Sequence, residues 1–95
     1  MTEPDQASSG AQDDDTRRRR LLFRATHRGT AENDLMIGGF VRENLQSLTE
    51  EDLDALEALM ERLDPDLADW LTGRRDIGPE DATPMLLRIR ASLRR

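Results

Sequence analysis

The chain has no cysteine, no tyrosine and no lysine, and among its 95 residues there are only one tryptophan, two phenylalanines and one histidine. Without cysteine there can be no disulfide, no thiolate nucleophile and no Cys-ligated zinc. A lone His27 cannot build a multi-histidine metal site. No run of ~18 apolar residues occurs, so no helix of this chain is expected to enter a membrane. β-Branched aliphatic residues are scarce too, with one valine and three isoleucines against fourteen leucines. That balance argues against a sheet, and no stretch alternates with period two. The opening Met1-Thr2-Glu3-Pro4-Asp5 is acidic and has no apolar core, which predicts neither a signal peptide nor an Arg-rich transit peptide. A small, soluble, cytoplasmic chain is the expectation, and its length suits one domain.

Charge is abundant and uneven. The formal net charge is −6, with −5 in residues 1–16, +6 from Arg17 to Arg28 and −8 from Thr49 to Gly73. A net-negative chain is a poor general nucleic-acid ligand, because phosphate neutralisation dominates that affinity. Residues 1–16 are rich in Asp, Ser, Gly and Gln and hold few apolar side chains; they are predicted to form a disordered acidic tail. A helical domain is predicted over residues 17–95.

Within it the patterning predicts five helices packed as a compact all-α bundle. The first is expected from Asp15 to His27, ended by Arg28-Gly29. The second runs from Thr30 to about Leu45, with Leu35, Met36, Phe40 and Val41 at helical spacing and Gly38-Gly39 marking either a close crossing or a kink. Thr49 with Asp52 forms a near capping box for the third, whose apolar stripe is Leu53, Leu56, Leu59, Met60 and Leu63. Asp54, Glu57 and Glu61 are expected to face water. Asp64-Pro65 and Thr83-Pro84 both read as an N-cap followed by proline at the first helical position. They start the fourth and fifth helices, and Gly73 ends the fourth. Trp70 is expected to anchor the core between the third and fourth helices.

Candidate chemistry is sparse. The serines have no histidine beside them, so no nucleophile–base pair is expected. Gly38-Gly39 lacks the spacing and the preceding strand of a phosphate loop. The run Arg17-Arg18-Arg19-Arg20 reads first as a solvated helix start paired with Asp13-Asp14-Asp15, and second as a docking patch for an acidic partner or RNA. The segment Arg28-Gly29-Thr30-Ala31-Glu32-Asn33-Asp34 gathers polar groups at a helix junction. It reads either as a cap at Gly29, with Glu32 bonding back to it and pairing with Arg28 across one turn, or as a polar patch where bare glycine backbone admits a partner.

Arg28-Gly29-x-x-Glu32, preceded by Arg19-Arg20-Leu21-Leu22-Phe23 and followed by Asp34-Leu35, resembles the RGxxE motif of the succinate dehydrogenase assembly factor family, also called the flavinator family. The resemblance continues through Asp64-x-x-Leu67-x-x-Trp70-x-x-Gly73 and the Pro84 to Ile89 region. It implies a five-helix chaperone, not an enzyme, that binds the flavoprotein subunit of succinate dehydrogenase or fumarate reductase and promotes covalent FAD attachment. It implies that FAD belongs to that partner, with no cofactor bound tightly by this chain; the self-sufficient caps and apolar stripes predict a monomer that folds without metal. Carried over by position, Arg28, Gly29, Glu32 and Asp34 would form the partner-binding motif. The rival expectation is an adaptor or antitoxin-like binding module with no flavin role.

Overall fold

Five helices follow one another in the computed structural model, which describes the backbone of residues 3–94 and the side chains of residues 14–94: α1 (Glu3–Thr26), α2 (Ala31–Asn44), α3 (Glu50–Leu59), α4 (Asp64–Thr72) and α5 (Pro84–Ser92). No strand occurs among the described residues. Of the expected acidic tail, residues 1–16, the side chains through residue 13 lie outside the described set. Asp14 to Thr16 belong to α1, and Asp14 and Asp15 pair with Arg18 and Arg19 one turn on.

Local chemistry sets most helix starts. Thr30 caps α2 by accepting from the Asn33 N–H, and Thr83 caps α5 by accepting from the Leu86 N–H. Thr49 and Asp52 close a full capping box on α3. The Thr49 backbone N–H is the main influence holding the Asp52 carboxyl below its ordinary range, outweighing the opposing effect of burial, with lesser help from Arg88. Gly73 ends α4 in the left-handed region at φ 84°, the conformation glycine adopts most readily. Asp64 does not cap α4 as expected: Leu63 holds that position without a side-chain bond, and Asp64 is the first helical residue.

The helices enclose a core of Leu21 and Ala25 from α1, Ile37, Phe40 and Val41 from α2, Leu53, Leu56 and Leu59 from α3, Leu67, Trp70 and Leu71 from α4, and Met85, Leu86 and Ile89 from α5. α1 and α2 form the most extensive pair, while α4 packs on α2 and α5, and α3 on α5. Trp70, on α4, is buried in this core as expected. The guanidinium groups of Arg62 and Arg75 both lie over its ring, 4.9 and 5.2 Å from the ring centre. Two leucines expected on interior stripes face out instead, Leu35 at 76% and Leu63 at 69% exposure.

Polar contacts join α1 to α3. Arg17 reaches Glu50, Asp54 and Glu57, and Arg24 reaches Glu57 and Glu61. Since both sets of partners ascend together, the two helices run parallel. The acidic face of α3 thus meets arginines rather than water alone. The Arg17 guanidinium is held above its usual pKa chiefly by Asp54. Arg18 turns the other way, donating to Asp14 and to the Leu45 carbonyl at the end of α2.

The glycine pair in α2 marks a crossing. A Cβ at Gly38 would lie 2.6 Å from the Thr26 Cγ2 and 3.1 Å from the Ala25 carbonyl oxygen, whereas at Gly39 it would meet nothing within 4 Å. Only the first glycine is needed for α1 and α2 to approach. Gly38→Ala should cost about 1–3 kcal/mol by overpacking, while Gly39→Ala should add about 0.5–1 kcal/mol through helix propensity. Urea unfolding of the two variants checks both signs. Trp70→Ala should cost about 3–5 kcal/mol in the same assay.

Candidate functional site

The turn between α1 and α2 carries the motif residues. α1 ends at Thr26, and the His27 Nδ1 lies 2.8 Å from the Phe23 carbonyl oxygen, closing the last turn. The His27 ring stacks on Phe23 with centroids 3.9 Å apart and planes at 19°. Gly29 then takes φ 101°, well into positive territory where a side chain strains the backbone. Nothing lies within 4 Å of where its Cβ would be, so glycine is required by conformation and not by crowding.

Arg28 does not pair with Glu32. Its side chain is only 11% exposed and reaches across to the turn between α3 and α4. Nε donates to the Asp64 Oδ1 at 2.5 Å, Nη1 to the Met60 carbonyl at 3.0 Å and Nη2 to the Arg62 carbonyl at 3.0 Å. Those carbonyls lie just past the end of α3, where backbone acceptors have no helical partner. The Arg28 backbone N–H donates to the Asp34 Oδ1 at 2.7 Å, so Asp34 braces the same turn from the first turn of α2.

Asn33 completes the arrangement and was not anticipated from the sequence. Its side chain is fully buried, and Nδ2 donates both to the Asp64 carbonyl and to the Asp64 Oδ1, each at 3.0 Å. The Asp64 carboxylate therefore holds Arg28 and Asn33 at once. Burial pushes its pKa up, but hydrogen bonds from Arg28 and Asn33 and the nearby positive charge together hold it below the ordinary carboxylate range.

Glu32 stands outside this knot. It is exposed and pairs with Arg74, beyond the end of α4, at 3.2 Å. The structure thus separates the four motif residues into two exposed ones, Gly29 and Glu32, and two engaged within the chain, Arg28 and Asp34. No cluster of three or more potential metal ligands occurs among the described residues, and none of their helices is long and apolar enough to cross a membrane.

A lowered folded-state pKa at Asp64 means that the unfolded chain binds this proton first as pH falls. The stabilisation is complete above the unfolded value of ~3.9 and is lost as pH drops through the folded one. Asp64→Asn should lower stability at pH 7 by about 2–3 kcal/mol, because Arg28 loses its charged partner. It should also flatten the stability loss below about pH 4. Urea unfolding from pH 7 down to pH 3 measures both.

Comparison with known proteins bears on what this knot serves. A family model described as the flavinator of succinate dehydrogenase matches residues 19–93, which include both turns and every interhelical contact of Arg28. The FAD assembly factor SdhE of Acetobacter pasteurianus is 51% identical over 85 residues, covering 87% of this chain and 78% of that protein. The mitochondrial succinate dehydrogenase assembly factor 2 of Candida glabrata is 38% identical over 65 residues, and that of Dictyostelium discoideum 35% over 69. These matches take in 68% and 73% of this chain but only 42% and 49% of the two mitochondrial proteins. No solved structure matches. With the match running from the second half of α1 through α5, the chain belongs to the family of flavinators of succinate dehydrogenase.

Proposed function

We propose that this chain is an assembly factor that binds the flavoprotein subunit of succinate dehydrogenase and promotes covalent attachment of FAD to it. The observation that carries this reading is the family match across the helical body, from residue 19 to residue 93. The geometry supports a binding role over catalysis. Gly29 offers bare backbone to an incoming surface, Glu32 stands exposed beside it, and Arg28 and Asp34 hold the turn from beneath.

On this reading the factor does no covalent chemistry. It seats the flavoprotein so that the flavin and its acceptor side chain are held in register, converting a loose encounter into a positioned one. FAD stays with the flavoprotein. A hollow of about 280 Å3 is lined by Phe40, Asn44, Arg88, Ala91 and Ser92, and one of about 170 Å3 by Ala55, Ala58, Leu59, Arg62 and Thr83. Both fall below the ~300–1,000 Å3 usual for a small-molecule site. The flavoprotein subunit of fumarate reductase is a second client on the same reading, and the acting species is a cytoplasmic monomer.

The purified chain should raise covalent flavin incorporation into the apo subunit, read as in-gel flavin fluorescence. Glu32→Ala should cost at most ~1 kcal/mol of stability, since an exposed ion pair is worth little, yet should lower incorporation several-fold. Gly29→Ala should cost about 1–2 kcal/mol from its backbone conformation alone, so its melting temperature is measured alongside. A well-folded Glu32→Ala chain with full activity would remove Glu32 from the site. Absence of any stimulation by the unmodified chain would remove the reading in favour of an adaptor role.

A further inference from the structure

We infer that Arg74 is a positioning residue of the flavoprotein-binding site: it holds one oxygen of the Glu32 carboxylate and leaves the other for an N–H donor of the subunit. This rests on the function proposed above and extends its site from the corner built on Arg28 to the residues just past α4.

Glu32 is the charged motif residue that faces solvent, its side chain 46% exposed, and Arg74 is its ion-pair partner. The Arg74 Nη2 donates to the Glu32 Oε1 at 3.2 Å, and among the described residues the Oε2 accepts no hydrogen bond. Arg74 is itself held. Its Nε donates to the Asp69 Oδ1 at 3.1 Å, and Asp69 followed by Glu32 keeps the guanidinium above its usual pKa.

The backbone on either side of Arg74 is fixed as well. Gly73, just before it, turns the chain through the left-handed region at the end of α4. Arg75, just after it, donates its N–H to the Asp69 carbonyl at 3.1 Å and pairs with Asp66 at 2.8 Å. Its guanidinium also lies over the buried Trp70 ring. An arginine anchored before and after in this way has less freedom to lose when a partner arrives.

Gly29 and Gly73 are the two glycines with positive φ, and the Glu32–Arg74 pair spans the two turns that contain them. The neighbouring Asn33 reaches Asp64, so adjacent residues of α2 grasp the start of α4 and the residue past its end. The buried Asn33 link does the fastening, because an exposed ion pair adds little to stability. What the exposed link fixes is the direction of the Glu32 carboxylate, whose rotamers a partner would otherwise have to freeze. A held carboxylate with one unoccupied oxygen is suited to a charge-assisted hydrogen bond.

The test is a double-mutant cycle in the full chain, with Arg74→Ala, Glu32→Ala and both together. Arg75→Gln removes the same charge one residue on. Melting temperature and calorimetric affinity for the purified apo subunit are measured for each. Glu32→Ala should weaken binding about tenfold, and Arg74→Ala about threefold, since the carboxylate then remains but is no longer held. The double variant should bind no more weakly than Glu32→Ala alone. Melting temperatures should hold, and Arg75→Gln should bind normally. A further threefold loss in the double variant would make Arg74 a contact of its own and overturn its action through Glu32. Full affinity in Arg74→Ala, or an equal loss in Arg75→Gln, would overturn the role of Arg74 and leave the assembly function standing. Should Arg74→Ala melt early, Arg74→Gln takes its place in the cycle; early melting of both would make Arg74 a support of the fold and overturn the inference. Failure of the unmodified chain to bind the subunit would remove the assembly reading, and this inference with it.

Discussion

The guanidinium of Arg28 is the contact on which the arrangement of the other elements depends. It lies in the α1–α2 turn, yet all three of its side-chain bonds end in the α3–α4 turn. Two of them satisfy carbonyls left without partners where α3 stops, and the third reaches the carboxylate that opens α4. A planar donor fork can serve all three acceptors together, whereas a lysine ammonium would meet them as a point charge. Asn33 adds a second link from α2 to the same aspartate. The two turns are thereby fastened to each other, and the positive-φ glycine beside them is presented on a stiff base.

This division of labour gives the RGxxE pattern a physical meaning. Its residues differ in what they face. Arg28 works inward, Gly29 supplies a backbone conformation, and Glu32 looks out toward Arg74. A motif of this kind need not contact a partner at every position. Part of it can be the support that lets the remainder be recognised.

Much of the fold was legible because it is locally encoded. The threonine caps at Thr49 and Thr83, the proline starts and Gly73 each act within a few residues, so their chemistry can be read in a short window. What failed involved contacts distant in sequence. Asp64 looks like an N-cap, but its carboxylate is taken by Arg28 and Asn33, which lie more than thirty residues earlier. Leu63 continues the periodicity of α3 on paper, yet the helix stops at Leu59 and the phase is lost. Arg28 and Glu32 have the spacing of a one-turn pair, but a left-handed glycine and a cap intervene. The inward role of Asn33 had no local signal at all. The Arg17 to Arg20 run mixes both cases, since Arg18 and Arg19 meet Asp14 and Asp15 nearby while Arg17 reaches α3.

The parallel course of α1 and α3 has an electrostatic consequence at this corner. Peptide dipoles in parallel helices point the same way, so the partly negative ends of α1 and α3 converge on the same side of the molecule. Side-by-side parallel dipoles repel weakly, and the arginines of α1 bound to the acids of α3 offset that repulsion along their length. At the shared end it is Arg28 that faces the backbone negative charge, while Asp64 sits at the partly positive start of α4. Each ion of this pair thus lies at the helix end whose field favours it. The potential at this corner is shaped by peptide groups as much as by side chains, and exchanging surface residues would leave that part of it in place.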